Sequence, residues 1–210
     1  DEHIALKPIA VLPGTAIIVG LDFGRMPAAC FCQCAGAQWR VLSELIGSDE
    51  SAELFAPRVK RHLAQMYPGL PVELWGDPRG KDGNQNVEAT AYDIYRAKGM
   101  MVLEASSDNN PTLRRAAVEA VLNRRNGLLV DPSCRILKQG LAGSYHFRKM
   151  PGVGVTSPKP VKNLFSHIVE AFENAILGGG EGDTIITPAN RPKQAAHAIH
   201  RHRARLRSAA

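Results

Sequence analysis

Apolar and polar positions fall into short blocks whose period changes along the chain. Ile17, Ile18, Val19 and Leu21 form a run that ends in Asp22-Phe23-Gly24, and a continuous apolar run this short predicts a strand buried on both faces. Ala28 to Cys34 and Trp39 to Ile46 predict two more strands, with Ala35-Gly36-Ala37 as the turn of an antiparallel hairpin. From Ser51 to Met66 the spacing becomes helical, with Phe55, Val59, Leu63 and Met66 on one face and Tyr67-Pro68-Gly69 as the stop. Val72 to Trp75 predicts a fourth strand running into Gly76-Asp77-Pro78, followed by a helix near Val87 to Ala97 and a strand from Met100 to Glu104. A helix over Pro111 to Arg125 directs Leu113, Ala117, Val121 and Leu122 at the core. Beyond it come a short strand at Leu128 to Val130, a helical turn at Ser133 to Gln139 and a strand at Tyr145 to Lys149. Residues 150–162 read as a Pro/Gly-rich loop or hairpin tip, and the last helix spans Asn163 to Leu177 before Gly178-Gly179-Gly180.

Three antiparallel strands followed by alternating helices and strands predict an α/β fold. Its mixed sheet has an antiparallel start and helices on both faces. This is the element order of the RNase H-like fold. Residues 1–14, with Pro8 and Pro13, read as a linker, 15–180 as the folded domain and 181–210 as a tail.

Charge sharpens that division. The net charge is +6, and six of the 26 Lys and Arg residues (Arg191, Lys193, Arg201, Arg203, Arg205 and Arg207) lie in 191–210 with no acids, so the other 20 bases match the 20 acids. Such an end reads as a nucleic-acid arm or as a solvated terminus. With 44% hydrophobic and 22% charged residues the composition is that of a soluble globular domain. No apolar run approaches the roughly 20 residues that span a bilayer, and no signal peptide is evident. The start at Asp1-Glu2-His3, without Met, reads as a fragment of something longer. Cys30, Cys32 and Cys34 alternate along one strand, and with Cys134 they lack the paired spacing of a zinc site, so they read as small buried thiols.

The candidate chemistry lies in strand-end carboxylates. Asp22 closes the first strand and Asp77 the fourth; as neighbouring parallel strands they would deliver both acids to one edge of the sheet. A strand-end aspartate is also a common turn former. Clustered carboxylates repel unless a divalent cation neutralises them, and an oxygen-only donor set favours Mg2+ or Mn2+. The last helix offers a third acid, Glu170 or Glu173. Its apolar stripe is Phe165, Ile168, Val169, Phe172 and Ile176, and its polar stripe is Asn163, His167, Glu170 and Asn174. Periodicity alone makes that polar stripe a solvent-facing one. Glu44, at the end of the third strand, reads as an exposed glutamate or an outer metal ligand.

Several segments together resemble the C-terminal nuclease domain of the large terminase subunit, the DNA-packaging motor of tailed bacteriophages. They are Gly20-Leu21-Asp22-Phe23-Gly24 with Pro27-Ala28-Ala29, Trp75-Gly76-Asp77-Pro78, Val130-Asp131-Pro132 with Cys134, Gly143-Ser144-Tyr145, Lys162-Asn163 with Ser166-His167, and Glu170-Ala171. The likeness covers about residues 15–180. It implies the RNase H-like fold and a metal-dependent endonuclease that cuts concatemeric viral DNA with little sequence specificity. It places catalytic, metal-binding roles on Asp22, Asp77 and Glu170, although the family more often has Asp at the third position, which keeps Glu173 as a rival. It further implies two Mg2+ or Mn2+ ions roughly 4 Å apart, duplex DNA, the portal and the small terminase subunit as partners, and the cytoplasm of an infected bacterial host as location. Arg79, Lys81, Arg148, Lys149, Lys162 and His167 become candidate DNA contacts, and Lys138 and Lys159 would extend a basic wall near the hairpin. The family's ATPase motif G-x-x-x-x-G-K-S/T is absent from this sequence, so ATP hydrolysis is not expected. Two other readings stay open: a DNA-gripping or portal-docking module with negligible cutting of its own, and a Holliday-junction-type resolvase of the same fold.

Overall fold

The structure is a computed structural model that describes residues 2–81, 89–106, 110–149 and 156–182, with the side chains of 149 and 156–159 excepted. The first three apolar blocks form β1 (Ile17–Asp22), β2 (Ala28–Ala35) and β3 (Gln38–Ile46), each antiparallel to its predecessor. β4 (Val72–Gly76) returns parallel to β1, β5 (Val102–Glu104) extends that edge in parallel, and β6 (Leu128–Val130) pairs in parallel with β3 at the other edge. The six-stranded order is β5-β4-β1-β2-β3-β6. Every residue of β1 is buried, which explains why its sequence runs apolar without alternation.

Strand alternation divides β1 between two cores. Ile17, Val19 and Leu21 meet Phe55, Val59 and Leu63 of α1 (Ala52–Met66) and Tyr92, Ile94 and Tyr95 of α2 (Ala91–Ala97). Ile18 lies on the other face, with Ala117 and Val121 of α3 (Pro111–Leu122), Leu137 of α4 (Arg135–Gln139) and Ile168, Phe172 and Ile176 of α5 (Leu164–Ile176). Gly20 and Asp22 share this second face by the same alternation. Helices therefore cover both faces, and the chain has the RNase H-like fold that its element order predicts.

The position of α5 decides what the site can be. It runs antiparallel to β1, with His167 at Asp22 and Ala171 over Gly20. Gly179, in the wide turn Leu177–Glu181 that prolongs the helix, lies over Ile18. A Cβ on Gly20 would stand 1.8 Å from the Ala171 carbonyl oxygen and 2.6 Å from the Ala175 nitrogen, so glycine lets helix and strand backbones touch. Gly178 and Gly179 repeat that approach over the rings of Trp75 and Trp39. On its outer side Phe165 and Val169 pack against Gly140, just after α4. Sandwiched this way, α5 is buried from Ile168 to Ile176 without interruption. The expectation that its polar stripe faces solvent is therefore corrected: the stripe turns to the sheet edge. Periodicity identifies a polar face but not whether water or a polar site lies opposite.

Other boundaries shift for local reasons. α2 begins after Thr90, whose side chain accepts from the Asp93 N–H while Asp93 returns the bond, so 89–90 lie outside the helix. Residues 82–88 lie outside the described residues. α3 ends at Leu122, ahead of a left-handed Asn126. Its buried face is Arg114, Ala117, Val118 and Val121; Ala117 and Val121 are as predicted, whereas Leu113 and Leu122 are half-buried. α4 passes into an unpredicted wide turn, Gly140–Ser144. β7 (Phe147–Lys149) pairs antiparallel with β8 (Thr156–Pro160), which makes the segment a hairpin. Arg115 of α3 stacks on Phe147 at 4.4 Å and ties that hairpin to the body.

The segment expected as a linker lies against the open edge of β6. Val130 donates to the His3 carbonyl at 2.7 Å and Ala5 to that of Val130 at 3.0 Å, and Ile9 N donates to Asp131 Oδ2 at 2.6 Å. This pairing shields the edge strand. At the other end Glu181 accepts from Trp39 Nε1 at 2.9 Å and from Arg124 at 2.8 and 3.0 Å. The chain is thus anchored as far as Glu181. Cys30, Cys32 and Cys134 are buried free thiols, and Cys34 is half-buried. Among the described residues no helix is long and apolar enough to cross a membrane.

Gly20→Ala should force α5 off β1. Overpacking of this kind costs roughly 1–3 kcal/mol, so the urea midpoint should fall clearly. An unchanged midpoint would show that the contact between helix and strand is slack.

Candidate active site

β1 and β4 are parallel neighbours whose last paired residues are Leu21 and Gly76. Asp22 and Asp77 each follow by one residue, so both leave the sheet at the same edge, and alternation turns both to the α5 face. Asp77 is set by a short 3-10 turn, Pro78–Lys81: its Oδ1 accepts from Arg79 N at 2.8 Å and its carbonyl from Gly80 N at 2.9 Å. α5 supplies the remainder. Its first turn is closed by Asn163, which accepts from Ser166 N at 2.9 Å while Ser166 Oγ accepts from Asn163 N at 3.0 Å. One turn from the acids, Asn174 Nδ2 donates to the Leu21 carbonyl at 2.9 Å and locks the helix to β1. Glu170 and Glu173 are then both buried beside the strand ends, at 4% and 1% exposure.

Each acid has a basic side chain beside it. Lys162 Nζ donates to both oxygens of Glu170, at 2.7 and 2.6 Å. His167 Nδ1 lies 2.7 Å from Asp22 Oδ2. The buried Arg114 stands between two acids, with Nε 3.2 Å from Glu173 Oε2 and a terminal nitrogen 3.8 Å from Asp77 Oδ2. Glu170 and Glu173 thus do different work. Glu173 belongs to an internal ion pair that reaches Asp77, whereas the partner of Glu170 comes from the surface.

The shifts follow this arrangement. Burial raises Asp22, the His167 bond opposes it, and the charge of Glu170 raises it further. Burial also raises Asp77, against the Arg79 N–H and Arg114, with Glu170 again adding to the rise. Burial pushes Glu173 up to about 7, against the Arg114 guanidinium. Asp22, Asp77 and Glu170 therefore share one electrostatic field. Among the described residues no three His, Cys, Asp or Glu side chains converge closely enough to hold one ion as they stand. Their donor chemistry nonetheless fits a hard divalent cation, because all are carboxylates at one edge and the charge of Glu170 raises both aspartates.

The other candidates are dispersed. Arg79 and Arg148 are exposed. Lys81 pairs with Glu104 and lies over the Tyr92 ring at 5.7 Å, and Lys138 donates to the Pro132 carbonyl at 2.8 Å. Lys149 lies in β7, and the run 191–210 lies outside the described residues. Glu44 is half-buried, not an exposed strand end. Its two oxygens accept from Ile136 N and Leu137 N, both at 2.9 Å, and so cap the first turn of α4. The residue that sequence reasoning missed is Arg114. A signal was present: Arg114 is in phase with Ala117, Val118 and Val121 on a helix face that otherwise contains only apolar residues.

No protein-family model and no curated protein matches the sequence. Solved structures do. The large terminase of a thermophilic bacteriophage aligns at a TM-score of 0.66 and 17% identity, over 83% of this chain and 42% of that one. The chain thus spans about two fifths of that protein's length. The large-terminase nuclease domain of bacteriophage SPP1, solved with bound Mn, aligns at 0.58 and 14% identity, over 83% of this chain and 95% of that domain. The P22 large-terminase nuclease domain aligns at 0.59 and 15%, over 85% and 86%. Over more than four fifths of its length, this chain has the fold of large-terminase nuclease domains.

Proposed function

We propose that the chain is a divalent-metal-dependent DNA endonuclease, the nuclease part of a phage DNA-packaging motor. The observation that carries this reading is the delivery of Asp22, Asp77 and Glu170 to one sheet edge, in a fold shared with a nuclease domain solved with bound Mn. Asp22, Asp77 and Glu170 would hold Mg2+ or Mn2+, in a two-ion arrangement by resemblance. When bound, the metal supplies charge neutralisation at the phosphate and a lower pKa for the attacking water. The chain's own side chains hold and orient: α5 keeps Glu170 against the strand ends, and Arg114 holds Asp77 while engaging Glu173. Arg79, Arg148, Lys149, Lys162 and His167 would contact phosphates, which confers little sequence preference. Lys81, paired with Glu104, is the weakest of the six candidates. The basic run 191–210 would add affinity by releasing counterions, and the anchor at Glu181 holds the chain beside Trp39, at the opposite end of β3 from the acids. Duplex DNA cut from concatemers, together with portal and small-subunit contacts through a longer motor protein in a host cytoplasm, completes the reading.

A DNA-gripping module with negligible isolated cutting is the second reading. It is favoured by one observation, the engagement of each carboxylate by a basic side chain.

Plasmid DNA should be nicked and linearised with Mg2+ or Mn2+ and protected by chelator. Asp22→Asn, Asp77→Asn and Glu170→Gln should each lose at least about 100-fold in rate, the scale expected for removing one transition-state stabilising group. Glu173→Gln should keep most cutting and show its effect in melting temperature. Undiminished cutting by Asp22→Asn overturns the assignment, and absence of metal-dependent cutting in the unsubstituted protein favours the gripping module.

A stability measurement checks the electrostatics separately. An acid raised in the folded state binds its proton more tightly there, so its contribution favours folding at low pH and is lost as pH rises through the folded value. Asp22 is such a group. The metal-free Asp22→Asn variant should therefore melt higher than the parent at pH 8, with the gain shrinking towards pH 4. A lower melting temperature at pH 8 would mean that the His167 bond outweighs burial and repulsion.

A further inference from the structure

The three basic side chains at the acid cluster differ in one physical respect. The side chains of Arg114 and His167 are 4% and 17% exposed, whereas that of Lys162 is 59% exposed while its ammonium engages both oxygens of a nearly buried Glu170. The Lys162 backbone is held by the start of α5, because the neighbouring Asn163 is closed onto Ser166 at both ends of the capping pair. Only the four-carbon stem has to move for Lys162 to leave. His167 approaches Oδ2 of Asp22, and Arg114 divides between Oε2 of Glu173 and Oδ2 of Asp77. Lys162 takes both oxygens of its partner.

Resting on the nuclease reading, we infer that Lys162 is a gate on the metal site, opened by a phosphate of bound duplex DNA. An ammonium bonded to both oxygens of Glu170 uses the donor capacity a metal needs and repels a divalent cation at the same position. Metal therefore engages Glu170 only once Lys162 has left. A DNA phosphate is the partner suited to take it, because an exposed lysine exchanges one anion for another at little cost in desolvation. Substrate binding and metal binding are then linked, and each strengthens the other by the same factor. The site would fill where DNA lies in reach and stay guarded elsewhere. Lys162 acts here as a positioning residue, through Glu170.

Calorimetric titration of the protein with Mn2+ tests this independently of cutting. Lys162→Ala should bind Mn2+ about tenfold more tightly than the parent without DNA, the scale of one solvent-screened charge. Lys162→Arg should stay near the parent. A duplex with a non-hydrolysable backbone, its own Mn2+ uptake subtracted, should tighten the parent towards the Lys162→Ala value and change that variant little. Unchanged or weaker Mn2+ binding by Lys162→Ala, in a protein whose Asp22→Asn variant loses Mn2+, overturns the gate and leaves the nuclease reading standing. If the parent and all three variants fail to take up Mn2+ and the parent does not cut, the nuclease reading fails and the gate with it.

Discussion

The contact between α5 and β1 is the constraint on which the remainder depends. Gly20 brings the helix backbone onto the strand, and Asn174 adds a hydrogen bond from the same helix to the Leu21 carbonyl. A helix held that close cannot present its polar face to water. His167 and Glu170 instead meet the strand ends, where β1 and β4 have delivered Asp22 and Asp77. The local sequence cooperates at each point. Small residues occur where backbones touch, a capping pair starts the helix, and Trp75 and Trp39 support glycines at its far end.

That arrangement concentrates negative charge in a region of low exposure. Unpaired carboxylates there would be costly, and the chain answers with Lys162, His167 and Arg114. The answers are unequal. Arg114 is a permanent internal partner, in phase with the core residues of α3, and it removes Glu173 from the set of ready ligands. Lys162 approaches from outside. A fold that must both stand without metal and admit it has reason to combine a fixed counter-charge with an exchangeable one.

Much of this was legible in the sequence. The β1 run, the hairpin of β2 and β3, and the two strand-end aspartates could be read directly, because burial on both faces and strand alternation leave local marks. What escaped depends on contacts between distant residues. The Glu44 cap on α4 joins side chain and backbone more than 90 positions apart, so nothing in its neighbourhood announces it. The orientation of α5 could not be read from periodicity, since a polar stripe looks the same before water and before a cluster of acids. Arg114 left a mark, one charge on an apolar helix face, and its meaning emerged only with the acids beside it.

The central claim is that Asp22, Asp77 and Glu170 together form the metal-binding edge of this fold. A crystal of the protein in complex with a duplex of non-hydrolysable backbone, soaked in Mn2+ and measured at the manganese absorption edge, tests it most directly. The account predicts anomalous density coordinated by carboxylate oxygens of Asp22, Asp77 and Glu170, with Lys162 displaced and the Arg114–Glu173 pair intact. Manganese bound by Glu173 in place of Glu170, or no manganese at this edge, would contradict it.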